Sequence, residues 1–237
     1  MWFWNKYPVQ LFGDLDFGVL LMKTQSLESL RIVYADKSTD EIRDEFSRNH
    51  SIFSTLSQDS FQWFSWDKLK SVKYATMSYT PSTKLDLLLE FIFGINGIQS
   101  DFVFLDAFCL DRPKKDLDPD KVFSALRNIY AGSSEHHIME PGSLMRGWVW
   151  HDLSFVIGTL RPTLHSSTID TALIGMLIKN IKANGFKTGK FSLPIDEKKV
   201  RNSIIDRWTT IEDFNQRVVE TVVSSLELSQ VCYCLLW

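Results

Sequence analysis

Asp101-Phe-Val-Phe-Leu-Asp106-Ala-Phe-Cys109-Leu110 is a nearly continuous apolar run of strand length, interrupted once, by Asp106. Such runs suit a strand covered on both faces, as in a parallel sheet with helices on either side. The flanking segments agree. Upstream, Tyr74-Ala-Thr-Met-Ser78-Tyr79 is β-like and runs into a Thr-Pro-Ser turn, and Lys84–Gly94 (KLDLLLEFIFG) has apolar positions at helical spacing. Downstream, Pro119–Tyr130 reads as a helix with Pro at its first position and Asp118 as N-cap. A short strand near His136–Met139 and a helix from about Trp150 follow. Alternating strands and helices with buried strands predict an α/β layered, parallel sheet, in which ligands bind outside the carboxyl ends of the strands.

Working outward, Leu30–Ala35 (LRIVYA) is expected to be a strand, followed by a helix from Ser38 or Thr39 with Asp40 and Glu41 in its first turn. Phe61–Trp66 (FQWFSW) reads as core, since a base-stacking surface would need a cationic groove beside it. The last third is helical. Ser167–Asn184 opens with Ser167 and Asp170 in a capping-box-like start and stops at Gly185. Ile204, Ile205 and Trp208 give a second helix its apolar face, and Thr210-Ile-Glu-Asp213 opens a third that runs to about Leu228. The terminal VCYCLLW reads as buried.

Composition narrows the function classes. The chain has 237 residues, 44% of them apolar and 23% charged, with 11 Gly and 7 Pro. That excludes collagenous, low-complexity and disordered chains. A net charge of −3 without a basic block leaves no electrostatic footprint for nucleic acid or an anionic membrane. No run approaches the roughly 18 apolar residues of a membrane span, and Asp14 and Asp16 interrupt any signal-peptide core. Three cysteines (Cys109, Cys232 and Cys234) make no disulfide framework, so a reducing, cytoplasmic setting is expected.

Most motifs fail on their chemistry. Asp116, Asp118 and Asp120 have the opening spacing of a calcium loop, but Lys121 stands where the turn needs Gly and Arg127 where the bidentate Glu belongs. The phosphate-loop-like Gly185–Phe191 is one residue short and ends in Phe instead of a hydroxyl. His136 and His137 are adjacent, so on a strand they point to opposite faces, and no metal site is expected. Cys109 lies in an apolar segment, where a thiol stays protonated and inert. What remains are polar residues in apolar settings. Asp106 and Asp111 sit within and just after the apolar run, and Arg146 and Asp152 flank Trp148 and Trp150 in RGWVWHD. A buried carboxylate needs a partner or a site, and an Arg–Asp pair buttressed by tryptophans would satisfy that need structurally.

Four blocks resemble the fungal heterokaryon-incompatibility (HET) domain. Tyr74-Ala-Thr-Met-Ser78-Tyr79 is similar to its Y-x-x-L-S-Y, and Phe104-Leu-Asp106-Ala-Phe-Cys109-Leu-Asp111 to its W-I-D-A-x-C-I-D-Q. Leu126-x-x-Ile129-Tyr130 resembles M-x-x-I-Y, and Arg146-Gly-Trp148-x-x-x-Asp152 resembles R-G-W-x-x-x-E. The blocks stand in the family's order over residues 74–152, about a third of the chain. Pro81-Ser82 replaces the expected Trp-Gly, Phe104 the Trp, Arg112 the Gln and Asp152 the Glu.

The resemblance implies a relation to TIR domains. With it come a flavodoxin-like (TIR-like) parallel sheet flanked by helices and additional C-terminal helices. The expected organisation is one domain over residues 1–237, with a recognisable core at about 74–160, an N-terminal elaboration (1–73) and a helical C-terminal part (161–237). The implied function is a cell-death or self/non-self response with cleavage of NAD to nicotinamide and ADP-ribose, or else non-catalytic self-association and signalling. In NAD-cleaving TIR enzymes the catalytic Glu lies four residues after a Trp, as Asp152 does after Trp148. Asp152 is thus the expected catalytic residue, and Ser78, Asp106, Asp111, Arg146, Trp148 and Trp150 the substrate-binding set. NAD or a related nucleotide is the expected substrate, a homo-oligomer the expected active form, and no cofactor, metal, nucleic acid or membrane partner is expected.

Overall fold

Which apolar runs become strands and which become helices is decided by packing. A computed structural model describes residues 18–42, 60–80, 82–94, 97–109, 119–165 and 170–228, without the side chains of 32–33, 107–108 and 119–120. Among the described residues the fold is α/β, with a mixed sheet of six strands flanked by helices. It divides into two compact units, one from the described parts of 1–77 and 81–135, the other from 78–80 and the described parts of 136–237.

In the first unit β1 (Gly18–Lys23) is a strand not expected from the sequence. It pairs antiparallel with β2 (Phe61–Ser65) on one side and with β4 (Phe102–Phe104) on the other. Strand β3 (Tyr74–Ser78) runs parallel to β4, with Tyr74 opposite Phe102 and Thr76 opposite Phe104. The sheet is therefore mixed, not parallel throughout. Gly18 permits the close approach of β2, because a Cβ there would lie 2.1 Å from the Phe64 carbonyl oxygen. The FQWFSW stretch is core on one face, as expected: Phe61 and Phe64 are buried, and Phe64 meets Phe102 edge-on at 5.1 Å.

Two expected strands are corrected. Of Leu30–Ala35, Leu30–Tyr34 lies in helix α1 (Glu28–Tyr34) and Ala35 is its C-cap. Leu27, Leu30 and Tyr34, three and four apart, are all buried, while Arg31 turns outward to Asp86 at 2.7 Å. Helical spacing overrides the β-propensity of Ile32 and Val33. A short helix, α2 (Trp66–Leu69), follows β2, and α3 (Leu85–Phe93) forms as expected. The run at 101–110 is strand only at 102–104. Asp106 opens the turn α4 (Asp106–Cys109), where the Cys109 N–H donates to the Leu105 carbonyl at 2.8 Å. Leu105 and Cys109 share one buried face, and an acid in a first helical turn is favoured. Asp106 thus stands half-buried at a helix start rather than inside a strand. Burial pushes the Cys109 thiol up to about 12, in keeping with an inert cysteine. Helix α5 (Pro119–Gly132) follows, and Asp118 lies outside the described residues. The Tyr74 hydroxyl donates to the Ile129 carbonyl at 2.6 Å, tying β3 to this helix.

In the second unit β5 (Glu135–Met139, of which His136 onward belongs here) runs parallel to β6 (Thr163–His165), a strand that sequence reading did not find. The expected helix near Trp150 begins earlier, as α6 (Gly147–Val156). Helix α7 (Thr171–Asn184) is capped by Asp170, whose carboxylate accepts from the Leu173 N–H at 2.9 Å; Ser167 lies outside the described residues. Helices α8 (Pro194–Trp208) and α9 (Ile211–Val218) follow. Thr210 caps α9, accepting from the Asp213 N–H at 3.0 Å, and a π-turn over Val219–Val223 continues it. The terminal VCYCLLW lies outside the described residues.

Thr209 joins α8 to α9 with φ 65° and ψ −48°, and the Thr210 N–H closes a three-residue turn onto the Trp208 carbonyl at 2.7 Å. That is a positive-φ γ-turn, a strained conformation for a β-branched residue. Thr209→Gly is expected to stabilise the protein by about 1 kcal/mol, the relieved strain exceeding the added chain entropy. A thermal melt reads this directly, and an unchanged or lower midpoint would contradict it.

Candidate functional site

Helix α6 reads Gly147-Trp-Val-Trp-His-Asp-Leu-Ser-Phe-Val156, and nine of its ten residues are buried, Trp148 being the exception. A helix covered on all sides must satisfy its polar side chains internally. Ser154 does so locally, donating to the His151 carbonyl at 2.6 Å. Asp152 is satisfied from outside the helix. Ser78, the last residue of β3 and part of the second unit, donates its hydroxyl to one carboxylate oxygen at 2.7 Å. The other oxygen lies 3.4 Å from His151 Nδ1. The Asp152 side chain keeps 13% of its surface exposed.

His136, the second residue of β5, completes the cluster with Nε2 3.3 Å from Ser78 Oγ. Its neighbour His137 faces the other way, as strand alternation requires, and stacks on His165 with Nδ1 2.7 Å from the partner Nε2. Burial pushes His136 down to about 3 and His165 down to about 4, with repulsion from His137 as a smaller cause in each.

These values fix a sign. Both rings stay neutral in the folded protein until pH 3–4, whereas the unfolded chain binds protons below about 6.5. Stability is therefore full above pH 6.5 and falls as the pH drops towards 4. His136 contributes a slope of up to about 1.4 kcal/mol per pH unit, and His165, nearer solvent, contributes less. Melting midpoints at pH 7, 5.5 and 4 should fall in that order, and His136→Gln should flatten the series. Equal midpoints in the wild-type protein would refute the assignment.

Of the expected site residues, the fold brings four to one place. Ser78 and Asp152 touch. Arg146, half-buried just before α6, donates from its guanidinium to the carbonyl of Tyr79, the residue after Ser78. Trp148 lies partly exposed with its ring edge-on to His151 at 5.8 Å. Trp150 is corrected: it is fully buried, its indole N–H donates to the Leu144 carbonyl at 2.8 Å, and Phe186 and Phe214 meet its ring edge-on. It is a core residue with no face for a ligand. Asp106 belongs to the first unit, and Asp111 lies outside the described residues.

His136 and His151 were missed. His151 was visible as the residue preceding Asp152, but helical neighbours do not normally face each other. His136, beside His137, invites only a metal-ligand reading from the sequence. No sequence signal pairs it with Ser78, 58 positions away.

No protein-family model matches the chain, and neither does any curated protein or solved structure. Among the described residues, no helix is long and apolar enough to cross a membrane.

Proposed function

We propose that the chain is a HET/TIR-like domain of flavodoxin-like ancestry, acting in the cytoplasm in a cell-death or self/non-self response, and that it cleaves NAD at the nicotinamide–ribose bond. The observation carrying this reading is the meeting of Ser78 and Asp152 at 2.7 Å, since they come from two separate blocks of the resemblance. Arg146 and Trp148 flank them, the first anchored beside Ser78 and the second partly exposed beside His151.

The chemistry needs little more than a placed carboxylate. As the glycosidic bond breaks, its electron pair leaves with the ring nitrogen, so nicotinamide departs neutral and needs no general acid. The ribose is left with oxocarbenium character, which the Asp152 carboxylate stabilises. Water adds at the anomeric carbon and releases its proton to solvent, giving ADP-ribose. Trp148 supplies a flat surface for a ring of the nucleotide, and Arg146 holds the segment after Ser78.

The experiment is to incubate purified protein with NAD and measure nicotinamide release. Release that depends on Asp152 supports the reading; release unchanged in Asp152→Ala removes Asp152 from the reaction.

A second reading, non-catalytic self-association, is favoured by one observation: both Asp152 oxygens have protein partners and little of the side chain is exposed. It predicts no nicotinamide release at any protein concentration, together with a molar mass that rises with concentration in light scattering.

A further inference from the structure

A serine hydroxyl has one proton to give. Ser78 sits between an acid and an imidazole, with Asp152 at 2.7 Å and His136 Nε2 at 3.3 Å, and all three side chains are largely buried. An ionised carboxylate only accepts, so the hydroxyl proton must point at Asp152. Ser78 Oγ then faces His136 with its lone pairs, and Nε2 must be the donor. A neutral imidazole has a single N–H, so this fixes the tautomer. The cationic form, which would also donate, is disfavoured by burial.

The geometry points to His136 as a positioning residue for Asp152: as the Nε2–H tautomer it donates to Ser78 Oγ, locks the hydroxyl rotor, and holds the Ser78 proton on the carboxylate. With the Nδ1–H tautomer instead, Nε2 would accept and compete with the carboxylate for the Ser78 proton; with no donor at all, Ser78 Oγ is left buried with its lone pairs unpaired and its bond to Asp152 weakened. Charge-assisted hydrogen bonds are the stronger kind, and a chain of them polarises along its length. His136 thus acts through Ser78 and touches no substrate. Its effect belongs in the rate step, where a carboxylate about 1 Å out of place loses much of its effect.

The role in catalysis rests on the proposed NAD cleavage; the direction of the hydrogen-bond chain does not. Two measurements on the full chain therefore separate them. In ¹⁵N-histidine-labelled protein at neutral pH, two-bond proton–nitrogen spectra are expected to show His136 as the Nε2–H tautomer. The Nδ1–H tautomer would reverse the chain and overturn the inference whether or not NAD is cleaved. In the second, His136→Leu, which has no donor, is expected to lower kcat for nicotinamide release about tenfold with KM nearly unchanged, the effect of one lost hydrogen bond. His136→Gln, whose amide can donate, should recover most of it. Equal impairment of the two variants would make His136 merely structural. If the Leu variant does not fold, the wild-type tautomer alone decides. A protein that shows the Nε2–H tautomer yet releases no nicotinamide keeps the chain and loses the NAD reading.

Discussion

Trp150→Ala is expected to cost about 3–5 kcal/mol and to leave the second unit largely unfolded at 37 °C. Trp150 is fully buried and is the largest such side chain described. Phe186 and Phe214 stand edge-on to it at centroid distances of 6.4 and 6.1 Å. Gly189 packs so closely that a Cβ there would lie 2.5 Å from the indole ring. Truncation removes these contacts, opens a cavity that two phenylalanines on separate elements cannot close together, and orphans the Leu144 carbonyl that the indole N–H satisfies. Chemical denaturation followed by circular dichroism measures the loss. Trp150→Phe keeps most of the volume but not the donor, so it should fall between wild type and alanine. A Trp150→Ala cost under 1 kcal/mol would refute the core assignment.

The second large effect concerns Asp152, and it separates charge from fold. Asp152→Asn is nearly isosteric, its amide oxygen can still accept from Ser78, and it should fold with a stability within about 1 kcal/mol of wild type. If the carboxylate stabilises developing positive charge, that same change should lower nicotinamide release by about 10²–10³-fold, the usual loss when a placed electrostatic group is removed. Asp152→Ala should lose activity equally and stability as well, because Ser78 is left buried without its acceptor. Nicotinamide quantified beside a thermal melt for the three proteins distinguishes the cases. Full activity in a well-folded Asp152→Asn variant would end the catalytic assignment. No activity in any of the three, with mass rising on concentration, would leave self-association as the function.

The site was partly legible in the sequence. Arg146, Trp148 and Asp152 lie within seven residues of one another, and a carboxylate in an apolar segment signals a buried partner by its desolvation cost alone. The identity of that partner was not legible. Ser78 is 74 positions from Asp152 and His136 is 58 from Ser78, and only the chain path through β3, β5 and α6 puts the three together. Trp148 and Trp150 look equivalent as letters. Two positions apart on a helix they diverge by about 200°, and the packing around each face decides that Trp150 is fully buried and Trp148 partly exposed.

Local chemistry alone determined the capped and periodic elements. Ser38 and Glu41 exchange hydrogen bonds at a helix start, Asp170 and Thr210 cap the helices they precede, and Gly185 ends α7 at φ 50°. Each of these rests on atoms within four residues of one another, so the sequence contains the whole interaction. Tertiary structure decided the apolar stretches. Leu30–Ala35 and Leu105–Cys109 could have formed a strand or a helix, and the choice went to whichever geometry put Leu30 with Tyr34, and Leu105 with Cys109, on one buried face. It also decided that β1 runs antiparallel to its neighbours and that β6 exists, since a strand is stabilised by partners distant in the chain. Hydrophobic burial is non-directional, so it fixes which residues go inside but not the backbone that takes them there.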